Sequence, residues 1–105
     1  MTQFAAHRNP NPATRSAIPF LLNVQSDLLE DLVTRVVVPL YEPAAIEGGI
    51  IERLTPCVEI NGAPYIAVTP ELAGVPLKLL GAPVADLANH RQDVVAALDF
   101  LITGV

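Results

Sequence analysis

The feature that most restricts this chain is the point at which its chain-breaking residues stop. All ten prolines and five of the six glycines lie at or before Pro83, and the sixth glycine is Gly104. Proline removes a backbone donor and clashes with the preceding turn, so the proline-bearing part cannot be built from long helices. The stretch VADLANHRQDVVAALDFLIT contains neither residue. At about 1.5 Å per residue it supports a helix of about five turns. Leu87, Val94, Val95, Leu98, Leu101 and Ile102 follow the i, i+3, i+4, i+7 spacing of one apolar stripe, with Asn89, Gln92, Asp93 and Asp99 opposite. Asn89 with Gln92 three residues on is a polar version of the capping box, which predicts regular helix from near that point. Gly104 stands where a left-handed residue ends a helix, and Val105 is placed to fold back onto Phe100.

Ahead of Pro83 the pattern is of short strands. MTQFAA opens as a strand, and HRNPNPATRS reads as an exposed loop. AIPFLLNVQ is strand-like, with Pro19 admissible only at an edge or bulge. QSDLLEDLVT mixes polar and apolar residues. RVVVPL is the clearest strand, because three consecutive β-branched valines suit an extended backbone. Glu47-Gly48-Gly49 reads as a mobile turn in a small insertion. CVEI, Asn61-Gly62 and APYIAV together predict a hairpin closed by a two-residue type I′ turn. Thr69 to Gly74 turns the chain, VPLKLL is read as another strand, and Gly81-Ala82-Pro83 separates it from the helix. The expected fold is a single domain over residues 1–105, mainly β, with five to seven mostly antiparallel strands and one C-terminal helix covering the apolar face.

Apolar residues make up 51% of the chain and charged residues 16%, against about 25% charged in an ordinary soluble domain. So low a charge favours surface buried against another chain, most simply in a two-fold dimer, over a well-packed monomer. The net charge is −5 and the six basic residues are scattered, which opposes direct nucleic-acid or anionic-membrane binding. No apolar run is long enough to span a bilayer, and the N-terminus lacks a signal pattern. The one cysteine, Cys57, cannot form an internal disulfide, in keeping with a reducing cytoplasm.

Little in the chain suggests catalysis. His7 is read as a loop histidine and His90 as a surface residue near the helix start, neither with a role. Cys57 opens a hairpin strand and is read as a small buried apolar residue. Nothing has metal-ligand spacing, and neither a nucleophile elbow nor a phosphate-cradling loop is present, so no cofactor is expected. Pattern alone leaves Leu28 and Leu29 as either core or exposed residues, and Ile102 and Val105 as either core or dimer-axis residues. Asp27 is read as stabilising its own turn.

Three segments in order resemble the CcdB family, the toxins of plasmid and chromosomal toxin–antitoxin pairs. They are Asn23-Val24-Gln25-Ser26-Asp27-Leu28-Leu29 followed by Arg35-Val36-Val37-Val38-Pro39-Leu40; Gly74-Val75-Pro76-Leu77; and Val84-Ala85-Asp86-Leu87 leading into the helix, with the chain stopping at Gly104-Val105. The resemblance covers nearly the whole chain. It implies an SH3-like antiparallel barrel or sheet with a small wing of strands and a C-terminal helix, a fold shared with MazF-type toxins, assembled as a homodimer. It further implies a non-enzymatic toxin that binds the DNA gyrase A subunit and traps the cleaved-DNA complex. A CcdA-like antitoxin would neutralise it through a disordered C-terminal segment, and the pair would repress their operon, touching operator DNA only through the antitoxin. Carried over residue by residue, the gyrase-contacting set is Leu28, Leu29, Asp99, Ile102, Thr103, Gly104 and Val105. Thr103 replaces the tryptophan of the plasmid-borne pattern, and Asp99 a frequent asparagine. Two other classes compete. A MazF-like ribonuclease needs clustered basic residues to hold phosphates, which the charge distribution opposes. A non-toxic SH3-like adaptor needs an aromatic groove, and the chain has five aromatic residues.

Overall fold

The computed structural model describes residues 2–46 and 51–104. The turn expected at Glu47-Gly48-Gly49 and the terminal Val105 lie outside the described residues. Seven strands run in chain order as β1 (Ala5–Arg8), β2 (Phe20–Asn23), β3 (Thr34–Tyr41), β4 (Cys57–Ile60), β5 (Ala63–Ala67), β6 (Ala73–Pro76) and β7 (Pro83–Asp86), followed by the helix α1 (Arg91–Thr103). The sheet order is β4-β5-β3-β2-β1-β7, with β6 also on β3, and every pairing is antiparallel.

The valine-rich β3 organises the sheet. Val37 to Leu40 pair with β2 along one edge. Along the other, Thr34 to Val37 pair with β6, and Leu40 and Tyr41 pair with β5. One strand thus serves two diverging neighbours, and the sheet curls into a half-barrel. The Asn-Gly hairpin forms as expected: Ile60 pairs with Ala63, and Asn61 and Gly62 take φ of 52° and 83°.

Side chains alternate across the sheet, and directly paired residues share a face. Ala6, Leu22 and Val38 lie opposite one another on the inner face. With Phe4, Leu40, Val58 and Ile60 they form a buried cluster that Val94 joins from α1, with Val95 and Leu98 packed against it. Burying each large aliphatic side chain contributes roughly 1.5–3 kcal/mol, so this cluster, mostly of sheet residues and closed by Val94, is a principal source of cohesion.

The regular helix, expected from near Asn89, starts at Arg91 after a 3₁₀ turn at Ala88–His90. Several other expectations are corrected. Val84 to Asp86, grouped with the helical stretch, belong to β7. Antiparallel pairing with β1 draws this segment into the sheet. Leu87 is buried but lies ahead of the helix, donating its N–H to the Phe4 carbonyl at 2.8 Å. No capping box forms, because His90 occupies the N-cap position without a side-chain hydrogen bond. VPLKLL is not one strand: β6 ends at Pro76, and Leu77–Leu79 is a 3₁₀ turn. Pro19 sits just before β2.

Two side chains are on the opposite side of the surface from their expected place. His7 is fully buried, because β1 extends to Arg8 and the outer face there is covered near Gly81, whose carbonyl bonds the imidazole Nδ1 at 2.8 Å. Cys57 is exposed, because the alternation in β4 turns Val58 and Ile60 inward and Cys57 and Glu59 outward.

Candidate functional site

The loop between β2 and β3 is held from below by buried polar side chains. Asn23 donates from Nδ2 to the Thr2 carbonyl at 3.0 Å and accepts the Gln25 N–H at 3.1 Å. Gln25 donates from Nε2 to the Leu29 carbonyl at 3.0 Å, while its Oε1 accepts the Val36 N–H at 3.1 Å. Arg35, only 4% exposed, donates from Nη1 to the carbonyls of Leu32 and Thr34 at 2.6 and 2.9 Å, and from Nη2 to that of Glu30 at 2.9 Å. Buried polar groups cost free energy unless bonded, and here they are bonded to the loop backbone. Above them Ser26 caps a 3₁₀ turn over Asp27–Leu29, its hydroxyl accepting the Leu28 N–H at 3.2 Å. The turn-stabilising role expected of Asp27 therefore falls to Ser26. Asp27 instead ties the loop to the N-terminal segment, accepting the Gln3 N–H at 2.8 Å.

This scaffold leaves the apolar side chains of the loop in solvent. Leu28 is 94% exposed, Leu29 and Leu32 50% each, and Val33 79%. Of the two readings open for Leu28 and Leu29, core and exposed, the structure shows the second. Beside them runs an apolar groove lined by Leu32, Val33, Pro76 and Leu77, with Glu30 and Lys78 among its polar neighbours. Leu32 and Val33 were not among the residues singled out from sequence. Spacing carried no signal for them, because positions 28, 29, 32 and 33 would equally suit one buried face of a helix.

The second group of candidate residues is the tip of α1. Val94, Ala97 and Leu98 keep the helix on the sheet, while Asp99 and Ile102 turn outward, Ile102 with 78% exposure. The Thr103 hydroxyl donates to the Asp99 carbonyl at 2.6 Å, so this side chain closes on its own helix. Gly104 ends the helix with φ of 75° and donates its N–H to Phe100 O at 2.8 Å, the left-handed cap expected of it. The Arg53 guanidinium lies 3.9 Å from the centroid of the Phe100 ring and covers one side of that turn. Val105 lies outside the described residues. The groove beside the loop is lined by neither Leu28 and Leu29 nor any residue of the helix tip.

The remaining reactive side chains do not converge. The His90 Nε2 accepts the Glu59 N–H at 3.3 Å, and the His7 imidazole is buried against Gly81, so neither serves Cys57 as a base. Among the described residues, no group of three or more His, Cys, Asp or Glu side chains could hold a metal ion. No described helix is long and apolar enough to cross a membrane. Among the described residues, the acid with a perturbed titration is Tyr41. It donates to Glu71 Oε1 at 2.5 Å, and that hydrogen bond, with some burial and the carboxylate's charge, pushes the phenol up to about 12. What the surface offers is exposed apolar side chains on a loop whose backbone is hydrogen-bonded to buried side chains. A family model described as CcdB protein matches residues 3–104.

Proposed function

The chain belongs to the CcdB family, the toxins of toxin–antitoxin systems, and from that premise we propose that it binds the DNA gyrase A subunit and traps gyrase on cleaved DNA. The observation that carries the reading is the exposure of Leu28, Leu29, Leu32 and Val33 on a loop fixed by buried hydrogen bonds. A contiguous apolar surface of this kind marks a site of association, and its rigidity reduces the ordering entropy lost on binding. The contacting set is Leu28, Leu29, Asp99, Ile102, Thr103, Gly104 and Val105. A homodimer joins the two groups of residues across its two-fold axis, with the helix tips near that axis. The action is by binding, without catalysis or a cofactor.

Neutralisation is by the disordered C-terminal segment of a CcdA-like antitoxin that folds as it binds, and the pair represses its operon from the cytoplasm. Purified protein incubated with gyrase and supercoiled DNA tests the reading through accumulation of cleaved DNA. Sedimentation at micromolar concentration tests the dimer, and a monomer there would contradict it. Titration with the antitoxin segment should give a large negative heat-capacity change, the signature of folding coupled to binding.

A further inference from the structure

We propose that Arg35, assisted by Gln25, is the positioning residue of this toxin's partner-binding loop, setting the backbone that presents Leu28, Leu29, Leu32 and Val33. The proposal rests on the gyrase-binding reading for its consequence, but not for its geometry. A guanidinium is a planar fork with five donors, and Arg35 spends it on three carbonyls of one short segment, Glu30, Leu32 and Thr34. All three accepting residues are themselves exposed, so the cation reaches outward from under the loop to its backbone. Gln25 completes the hold at the Leu29 carbonyl. Carbonyls at positions 29, 30, 32 and 34 are thereby held by two buried side chains, Arg35 on β3 and Gln25, which is itself tied to β3 through the Val36 N–H. The loop's own bonds are sparse: Leu29 N–H to Ser26 O at 3.0 Å, Glu30 N–H to Asp27 O at 3.3 Å, and Leu32 N–H to Leu29 O at 3.1 Å.

The chemistry separates Arg35 from a merely buried cation. Lysine keeps the charge and most of the apolar stem, but offers a compact ammonium that cannot span three carbonyls in fork geometry. Arg35→Lys should therefore leave the sheet standing and release the loop. Gln25→Glu is the second variant. It keeps the oxygen that accepts the Val36 N–H and removes the donor to Leu29 O.

The test combines amide hydrogen exchange with the gyrase cleavage assay on the full-length protein. In Arg35→Lys, protection of the Leu29, Glu30 and Leu32 amides should fall tenfold or more while that of the β4–β5 hairpin is unchanged, as expected for loss of hydrogen bonds to a charged donor. The same variant should need at least about tenfold more protein to trap gyrase. Should Arg35→Lys fail to fold, Gln25→Glu should show the same pattern at Leu29 and Leu32. Unchanged loop protection in the folded variants would overturn the positioning role, as would loop release with no loss of trapping while Leu28→Ala does lose it. If Leu28→Ala and Arg35→Lys both trap gyrase normally, the gyrase-binding reading of this loop fails instead.

Discussion

Leu22 and Leu28 are the same residue type six positions apart, and truncating each to alanine should have opposite consequences. Leu22 is fully buried, lies between Ala6 and Val38 in the sheet register, and belongs to the cluster that Val94 closes from the helix. Its neighbours are hydrogen-bonded strands that cannot close over a void, so Leu22→Ala should fall in the upper part of the usual 2–5 kcal/mol range, at about 3–5 kcal/mol. Domains of this size have about 5–15 kcal/mol in total, so the loss is a large share of stability. Leu28 is 94% exposed, and truncation there should change stability by no more than about 0.5 kcal/mol. Urea denaturation of both variants at one protein concentration measures the difference, with the slope m unchanged and the midpoint shifted for Leu22→Ala alone. In thermal melts about 3 kcal/mol corresponds to a drop in Tm of roughly 12–24 °C. A Leu28→Ala cost above about 1.5 kcal/mol would refute the reasoning, since a side chain already in water has no such contribution to lose.

Two further outcomes follow from the geometry. Gly62→Ala meets no atom within 4 Å but must hold φ of 83°, so it should cost about 1–2 kcal/mol through backbone strain alone, measured by the same urea titration. Tyr41 should titrate at about 12 by phenolate absorbance in a Tyr65→Phe background, and Glu71→Gln should bring it down. Because the folded value lies above the unfolded one near 10, the stabilisation from this bond is complete below about pH 10 and is lost as pH rises towards 12.

The elements legible in the sequence were those with a local cause. Two residues that tolerate positive φ predicted the hairpin, three β-branched residues predicted β3, and Gly104 predicted the left-handed helix end. What was not legible depended on partners distant in the chain. Val84 to Asp86 lie in the stretch free of proline and glycine that leads into the helix, but β1 pairs with them, and the helix begins only at Arg91. His7 looked like a loop histidine because nothing nearby in sequence foretells Gly81 meeting it. Cys57 looked like a core residue because the phase of alternation in β4 is set by the sheet. At the candidate site, local pattern could not tell exposed from buried for Leu28 and Leu29, and only the family resemblance favoured exposure. Arg35 was equally hidden, its role depending on carbonyls it reaches from beneath the loop.

Cleavage of supercoiled DNA by gyrase in the presence of the purified protein tests the central claim most directly, with linear DNA measured after denaturing gyrase. Wild-type protein should accumulate linear DNA. Thr103→Ala should change this little, because that hydroxyl bonds to its own helix at Asp99. Leu28→Glu should abolish it, as should Gly104→Glu or removal of Gly104-Val105, with folding unchanged by circular dichroism. Leu28 and Gly104 are exposed in the structure, so these changes should not disturb the core. No linear DNA at saturating wild-type protein, or full activity in the Leu28→Glu and truncated variants, would contradict the account.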